Sequence, residues 1–426
     1  MSDADMPKKK PTAIVLGGTV PHIALIQRLK NRGYHTLLVD YLDNPPAQAH
    51  ADEHIQESTL DKEKVLSIAR ETNADLVISA AIDQSNATAC YVGEQLSLPI
   101  PYTYATALVV TNKGLMKERF LAAGIPTARY VFVKDFEGYE ASGLALPAVV
   151  KPADSTGSAG VRKVKNTAEL VRALAQALAM SRTGMAIVEE FKQGTEVSAD
   201  FYVQKGVAHL LTVRRKYVMD AGEGTVLQSP GSVTPVELSA FARQSLDTIA
   251  QKIVHAFSLH NTPLLVQALV DSDEINVIEF APRIGGGLAF RTIQLMTGFD
   301  ITDAAIDSFL GVEPIITIKP STSYFSTNII YGRPGVLGGI RGVEQLQKEG
   351  VIKEYYEYKS AGSIIAADMS TRSRVGAFII EGNNENELVK HLRRALREIE
   401  VSSESGSDMM RRDIYDRVFD ENGHRS

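Results

Sequence analysis

At 426 residues the chain is too long for one ordinary compact domain, and at about 150 residues per domain it divides into roughly two to four. Its 44% hydrophobic and 23% charged residues exclude a disordered or collagen-like chain, and a formal net charge of -6 excludes broad electrostatic wrapping of nucleic acid, so any anionic ligand must be held locally. The single cysteine, Cys90, leaves no intrachain disulfide and no multi-cysteine zinc site, and the lack of a long apolar run predicts no membrane partner and a cytoplasmic location.

From the N-terminus, short apolar runs alternate with longer amphipathic ones, the pattern of strands entering helices over an open sheet. Ala13 to Leu16 is predicted as a strand, Gly17 to Thr19 as a turn, Ile23 to Leu29 as a helix and His35 to Asp40 as the next strand. Helical spacing over Asp61 to Arg70 and Gln84 to Leu96 flanks a strand at Leu76 to Ile78, and Pro99 and Pro101 close the stretch. Residues 1–106 therefore read as an N-terminal α/β domain associated with a substrate.

Thr111 to Ala123 is predicted as a helix stopped by Gly124 and Pro126, and a GSAG run lies between strand-like PAVVKP and helix-like NTAELVRALAQALAM. Ala186 to Phe191, Glu196 to Val203 and Ala208 to Val213 are compact strands with turn signals at Gly194 and Gly206, which points to an antiparallel sheet. A long helix over Val236 to Phe257 precedes a strand pair, Leu264 to Val270 and Ile275 to Phe280, joined across DSDE. From residue 316, strand-like YFSTNIIY and VGAFIIEG and a helix over Glu385 to Ile399 make a small mixed domain ending at 402, with 403–426 as a flexible tail. The fold class is α/β and α+β.

GGTVPH follows the first strand, and Asp40 lies near the distance at which a dinucleotide fold places its ribose-binding acid. The second and third glycines of G-x-G-x-x-G are missing and Pro21 sits where the helix must open. A plain strand-to-helix turn, or an anion-binding turn for another ligand, outweighs a NAD site. His50 and His54 lack both helical periodicity and the internal glutamate of a zinc protease, so they read as surface residues.

Lys113, Lys151, the loop PADSTGSAG, EEF at 189–191, Glu196 and IEFAPR at 278–283 form an ordered set. Singly, Lys113 reads as an exposed helix cation and Glu196 as a solvated strand charge. Together, two cations flanking a Ser/Gly loop can hold phosphates while backbone amides cover the outermost one, although the loop is not a Walker sequence. EEF ends a strand-like run whose backbone can pair with an adenine edge while Phe191 packs on its face, and Glu196 can accept from a ribose. Gln267 and Glu279 lie on the two strands of a hairpin and can share a magnesium-triphosphate, with Arg283 four residues beyond Glu279. Arg291 follows IGGGLAF and reads as a clamp for a substrate carboxylate or acyl phosphate, and Gly285 to Gly287 allow close approach. Arg214 and Arg215 are a further anion option, with opposite faces expected for adjacent strand residues.

Over about residues 13–400, through TNKGLMKERFLAAGIPT, AVVKPADSTGSAGV, IVEEFKQGTEVSADF and LLVQALVDSDEINVIEFAPRIGGG, the chain resembles the ATP-grasp superfamily. It is most similar to the carboxylate-amine ligase branch, which holds L-amino-acid ligases and purine-biosynthetic ligases. The resemblance implies a two-part ATP-grasp unit over 107–315 and a closing domain over 316–402. It places Lys113 and Lys151 on ATP phosphates, and Ser155, Thr156, Gly157, Ser158, Ala159 and Gly160 in a phosphate lid. Glu189, Glu190 and Phe191 fall on adenine, Glu196 on ribose, Gln267 and Glu279 on magnesium (manganese being an acceptable substitute), and Arg283 at the phosphoryl-transfer centre. One departure is Ala281, where the family often carries a metal-binding asparagine.

The activity implied is ATP-dependent joining of a small carboxylic acid and an amine through an acyl phosphate, releasing ADP and phosphate, with an L-amino acid on at least one side. A homodimer is compatible with this reading. The alternatives are a purine-pathway ligase, an ATP-binding regulator that has lost catalysis at Ala281, and an NAD-dependent dehydrogenase using Gly17 to Asp40.

Overall fold

A computed structural model describes residues 10–154, 160–219, 228–367, 371–416 and 418. Among these, the strands form four sheets. The first is parallel, in the order β3-β2-β1-β4, from β1 (Thr12–Leu16), β2 (His35–Asp40), β3 (Glu53–Gln56) and β4 (Leu76–Ile78). The continuous apolar runs of β1 and β4 are fully buried, as expected when helices cover both faces of a parallel sheet. Those helices are α1 (Val20–Asn31), α2 (Lys62–Thr72) and α3 (Asp83–Leu96). Asp61 starts α2 by accepting from Lys64 N, and Asn73 ends it in the left-handed region at φ 51°.

The helix expected over Thr111 to Ala123 is α5 (Lys113–Ala122), and a separate helix that was not expected, α4 (Tyr104–Thr111), ends just before it. Asn112 separates them because its backbone is extended and its side chain accepts from Gly114 N and Leu115 N, so it ends one helix by capping the next. Lys113 is thereby the first residue of α5.

A small antiparallel sheet in the order β5-β8-β6-β7 follows, from β5 (Tyr130–Val133), β6 (Ala148–Pro152), β7 (Arg162–Val164) and β8 (Ala186–Glu190). The helices α6 (Phe136–Ser142) and α7 (Thr167–Met180) pack on it around Val133, Tyr139, Val150, Leu170 and Val188.

The large sheet is antiparallel and runs β13-β12-β9-β10-β11-β14-β18-β16. Its first five strands come from β9 (Thr195–Gln204), β10 (Val207–Met219), β11 (Gln228–Thr234), β12 (Thr262–Asp271) and β13 (Glu274–Ala281), with helices α8 (Ala240–Ala256), α9 (Ala289–Thr297) and α10 (Ile301–Phe309). The rest come from β14 (Tyr324–Tyr331), β16 (Glu354–Glu357) and β18 (Arg374–Gly382), so one sheet crosses the junction expected at 315/316. The fourth sheet, β17-β15-β19, joins β15 (Gly335–Arg341), β17 (Ile364–Ile365) and β19 (Glu400–Ser403), with α11 (Val343–Lys348) and α12 (Glu385–Glu398) nearby. On β9, Val197, Ala199, Phe201 and Val203 pack in the core with residues of α8 and α5, while Tyr202 joins residues of α9 and α10 in a second core. The alternation of the strand supplies both faces.

The expected flexible tail is corrected over 403–416. Met409, Met410, Ile414 and Tyr415 are buried in the core beside α12, and α13 (Asp413–Asp416) closes it. The Tyr415 hydroxyl donates to Pro230 O and accepts from Ile329 N, each at 2.8 Å. The polar composition of SSESGSD hid the four apolar anchors just beyond it. Residues 417 and 419–426 lie outside the described ones.

Candidate active site

Two rows of side chains cross one face of the large sheet. In register, Glu279 on β13 lies opposite Gln267 on β12, Gln267 opposite Ser198 on β9, and Ser198 opposite Arg214 on β10. A second row runs from Lys216 on β10 through Ser232 on β11 to Thr327 on β14. All seven line a cavity of about 300 Å³, together with Lys113, Asp83, Arg283, Ala281, Tyr358 and Arg374. A register shift in the β12–β13 pair leaves Ile278 unpaired next to Glu279, and such a bulge re-aims the neighbouring side chain.

The cavity is cationic although the chain is acidic. Lys113, Arg214, Lys216, Arg283 and Arg374 line it against Asp83 and Glu279, which suits a polyanion. Burial pushes the Glu279 carboxyl up, but the fields of Lys113, Lys151, Lys216 and Arg283 outweigh it and hold its pKa at about 2. Glu279 therefore stays ionised, and at 41% side-chain exposure it is open to a ligand. Lys113 Nζ stands 3.5 Å from it.

Arg283 forms a two-pronged pair with Asp83 at the start of α3, both contacts at 2.7 Å, which raises the guanidinium pKa against its burial. The N-terminal sheet unit thus supplies one wall of the cavity. Arg214 makes a similar pair with Asp200, at 2.7 and 3.0 Å, and Lys216 lies 2.5 Å from Glu196. Arg374 donates to the Tyr331 hydroxyl at 3.1 Å and has no carboxylate partner among the described residues.

The structure brings Lys113, Gln267, Glu279 and Arg283 into the cavity, and leaves other expected residues beside it. Lys151 and Glu189 are buried against each other at 2.8 Å. Glu190 N donates to Arg129 O and Phe191 N to Pro147 O, so the amides expected to meet adenine are engaged within the chain. The Phe191 ring carries Lys163 Nζ 3.6 Å from its centre. Glu196 is paired with Lys216 rather than free. Gly160 packs its backbone against Pro152 and Met180, and Ser155 to Ala159 lie outside the described residues.

Arg291 is a correction. It is bound in two-pronged fashion to Glu354 of β16, at 2.6 to 2.9 Å, and also donates to Gln294, because the start of α9 turns this side chain toward the sheet edge instead of the cavity. The glycines also divide their work. A Cβ at Gly285 would lie 2.9 Å from both the Arg214 guanidinium and the Ala289 Cβ, so the close approach there is to the protein, whereas Gly286 and Gly287 line the cavity.

The first glycine turn is closed to anions. Gly17 N donates to Val39 O, Gly18 N to Asp40 Oδ2 at 2.7 Å, and Thr19 N to His22 Nδ1. Asp40 also accepts from Leu42 N, so its carboxylate is spent on the loop rather than free for a ribose, and the NAD reading loses its two anchors.

Residues that sequence reasoning missed are Asp83, Ser198, Lys216, Arg374 and the fully buried Lys117. The alternation in TVRRKYV puts Arg214 and Lys216 on one strand face, a signal that was available. Arg215 turns the other way, to Glu385 at 2.6 Å, as adjacent strand residues must. Asp83 and Arg374 carry no local signal, since each reaches the cavity only through tertiary packing.

The ATP-grasp domain family matches residues 144–291, which span both Glu189 and the Gln267–Glu279 pair. The chain carries the ATP-grasp fold. A second family, L-amino acid ligase C-terminal domain 2, matches residues 328–404. The formate-dependent phosphoribosylglycinamide formyltransferase of Pasteurella multocida is 26% identical over 347 residues, covering 76% of this chain and 84% of that protein. Among solved structures, L-amino acid ligase from Bacillus licheniformis aligns with a TM-score of 0.77 at 19% identity, over 93% of this chain and 100% of that one. Phosphoribosylglycinamide synthetase from Anaerococcus prevotii aligns at 0.74 and 18%, over 93% and 100%. Carboxylate-amine ligase chemistry, with nucleotide binding, acyl-phosphate formation and release of ADP and phosphate, is typical of this fold family. Among the described residues no helix is long and apolar enough to cross a membrane.

Proposed function

We propose that this ATP-grasp enzyme binds magnesium-ATP in the cavity over the large sheet, activates a small carboxylic acid and joins it to an amine, with an L-amino acid on at least one side. The observation that carries this is the single row Glu279, Gln267, Ser198 and Arg214, flanked by Lys113 and Arg283 in one cationic cavity. The match to the L-amino acid ligase C-terminal domain supports the amino-acid side of the reading. A cytoplasmic location goes with it, and a homodimer is compatible with it.

Gln267 and Glu279 offer two facing oxygen donors, and no group of three or more His, Cys, Asp or Glu forms a protein-only cage among the described residues. That partial set fits magnesium, which retains water and phosphate oxygens as ligands, and Ala281 leaves that donor pair in place. When bound, magnesium supplies neutralisation of the ATP phosphates. Lys113 and Lys151 add charge along the phosphates, and Arg283, steadied by Asp83, faces the negative charge that develops as the γ-phosphoryl group passes to the carboxylate. The amine then attacks the acyl carbon and phosphate leaves, so no nucleophile of the chain is needed.

A second reading, ligation onto the glycyl amine of a phosphoribosyl-bearing substrate, is favoured by the curated relatives named as phosphoribosylglycinamide formyltransferases. The engaged amides of Gly17 to Thr19 weigh against phosphate recognition at that turn. A matrix of acids and amines, including formate with phosphoribosylglycinamide, separates the two readings by mass spectrometry of condensed product alongside ADP. Hydroxylamine should trap the activated acid as a hydroxamate. ADP with a phosphorylated metabolite and no condensed product across the matrix would overturn both.

A further inference from the structure

Three buried charges meet on one oxygen beside the two central strands of the β5-β8-β6-β7 sheet. Glu189 Oε1 on β8 lies 2.8 Å from Lys151 Nζ on β6 and 3.1 Å from Lys117 Nζ on α5, and Lys117 is only 1% exposed. Lys117 Nζ also donates to Thr127 Oγ1 at 2.8 Å, and that hydroxyl donates to Val277 O of β13. Burial pushes the Lys117 ammonium down and would push the Glu189 carboxyl up, but the two lysines outweigh burial and hold Glu189 ionised. Two ammonium groups and one carboxylate leave a net positive charge in a dry place.

The two lysines differ in what holds them. Lys151 sits on the small sheet, whereas α5 is fixed in the large-sheet core through Met116 and Phe120 and tied to β13 through Thr127. Resting on the nucleotide reading above, Lys151 must turn toward the ATP phosphates. Glu189 is then left with whatever cation stays. The other groups facing this cluster are Tyr130 on β5, whose ring centre is 5.2 Å from Lys117 Nζ, and Glu279 on β13, whose field reaches Lys117. One is neutral and the other anionic, so neither can take the place of a cation.

We propose that Lys117 is a positioning residue for nucleotide binding: it remains the counter-ion of Glu189 and so releases Lys151 to the ATP phosphates without stranding a buried carboxylate. Removing the last partner of a buried charge is strongly unfavourable. Without Lys117, Glu189 must take up a proton when ATP binds, or Lys151 must stay where it is.

The test is magnesium-ATP titration by calorimetry from pH 6 to pH 8, in two buffers of different ionisation heat, on the whole chain. Lys117→Met should weaken binding about tenfold or more at pH 8 and less at pH 6, with added proton uptake, while Lys117→Arg keeps the pH profile of the unaltered chain. In a Glu189→Gln background, Lys117→Met should have no further effect, since the carboxylate is gone. This pair of variants also carries the test should Lys117→Met alone not fold, because neither contains the buried carboxylate. A tenfold loss on adding Lys117→Met to Glu189→Gln would mean that Lys117 acts elsewhere, and would overturn the proposal. So would unaltered affinity and pH profile in folded Lys117→Met. Failure of the unaltered chain to bind magnesium-ATP would instead overturn the nucleotide reading itself, and the proposal with it.

Discussion

Glu279 illustrates how a residue's surroundings decide its role. Four cations hold its carboxyl near pKa 2, so it is fully charged throughout the neutral range and contributes no pH dependence there. Glu279→Ala should lower magnesium-ATP affinity by about tenfold or more, given the usual worth of contacts to charged groups, with the fold retained by circular dichroism. His22 behaves in the opposite sense. It is fully buried behind the first glycine turn, accepts from Thr19 N and lies 3.3 Å from the Ser79 hydroxyl, and burial lowers its pKa from 6.5 to about 4 despite backbone contacts that favour the charged form. The folded state thus refuses a proton that the unfolded chain accepts. Stability should fall as pH drops from about 6.5 to about 4, by up to roughly 3 kcal/mol from this group alone. Urea unfolding at a series of pH values checks this, and His22→Gln should flatten that part of the profile.

At the scale of the element, the break between α4 and α5 connects a cap to a ligand position. Asn112 satisfies two amides of α5 and sets Lys113 as its first residue, 3.5 Å from Glu279. Asn112→Ala should cost about 1 kcal/mol of stability in denaturant unfolding, a typical price for a lost N-cap, and should weaken magnesium-ATP binding as Lys113 loses its fixed start. Asn112→Asp keeps the acceptor and should retain both. The β12–β13 hairpin works similarly: Ser272, at φ 54°, makes the tight turn, and the bulge at Ile278 then shifts the register by one residue so that Gln267 faces Glu279.

In the whole molecule, the N-terminal sheet unit is fastened to the rest by α1 against α10. Arg28 pairs with Asp300, and Arg32 with Asp303 and Asp307, at 2.7 to 2.9 Å, while Ile306 and Phe309 of α10 enter the core of the parallel sheet. The partly exposed ion pairs contribute little each, so the apolar insertion dominates. Phe309→Ala should destabilise the N-terminal unit by about 3–5 kcal/mol, read as earlier protease cleavage within residues 10–100. Asp83 then transmits that placement to the cavity through Arg283. Asp83→Asn should reduce kcat by about tenfold or more while leaving magnesium-ATP affinity within about twofold, because it loosens the group at the transferring phosphoryl rather than those on the nucleotide.

Local pattern determined much of this protein. Alternation and apolar runs marked β1, β2, β4, β14 and the β12–β13 hairpin, because strand periodicity and turn chemistry are written in neighbouring residues. The ordered motifs placed Lys113, Gln267, Glu279 and Arg283 in one site, and the structure has them lining one cavity. Tertiary structure alone decided the rest. Arg291 read as a substrate clamp, but β16 brings Glu354 to it, and Asp83 meets Arg283 only because the N-terminal unit docks it there. The polar stretch after 402 became part of a core because Met409, Met410 and Tyr415 found partners far away in sequence. Nothing local marks Lys117, and its burial beside Glu189 follows from where α5 packs. Pairings of charges across long sequence separations depend on which elements dock, and no window of neighbouring residues contains that information.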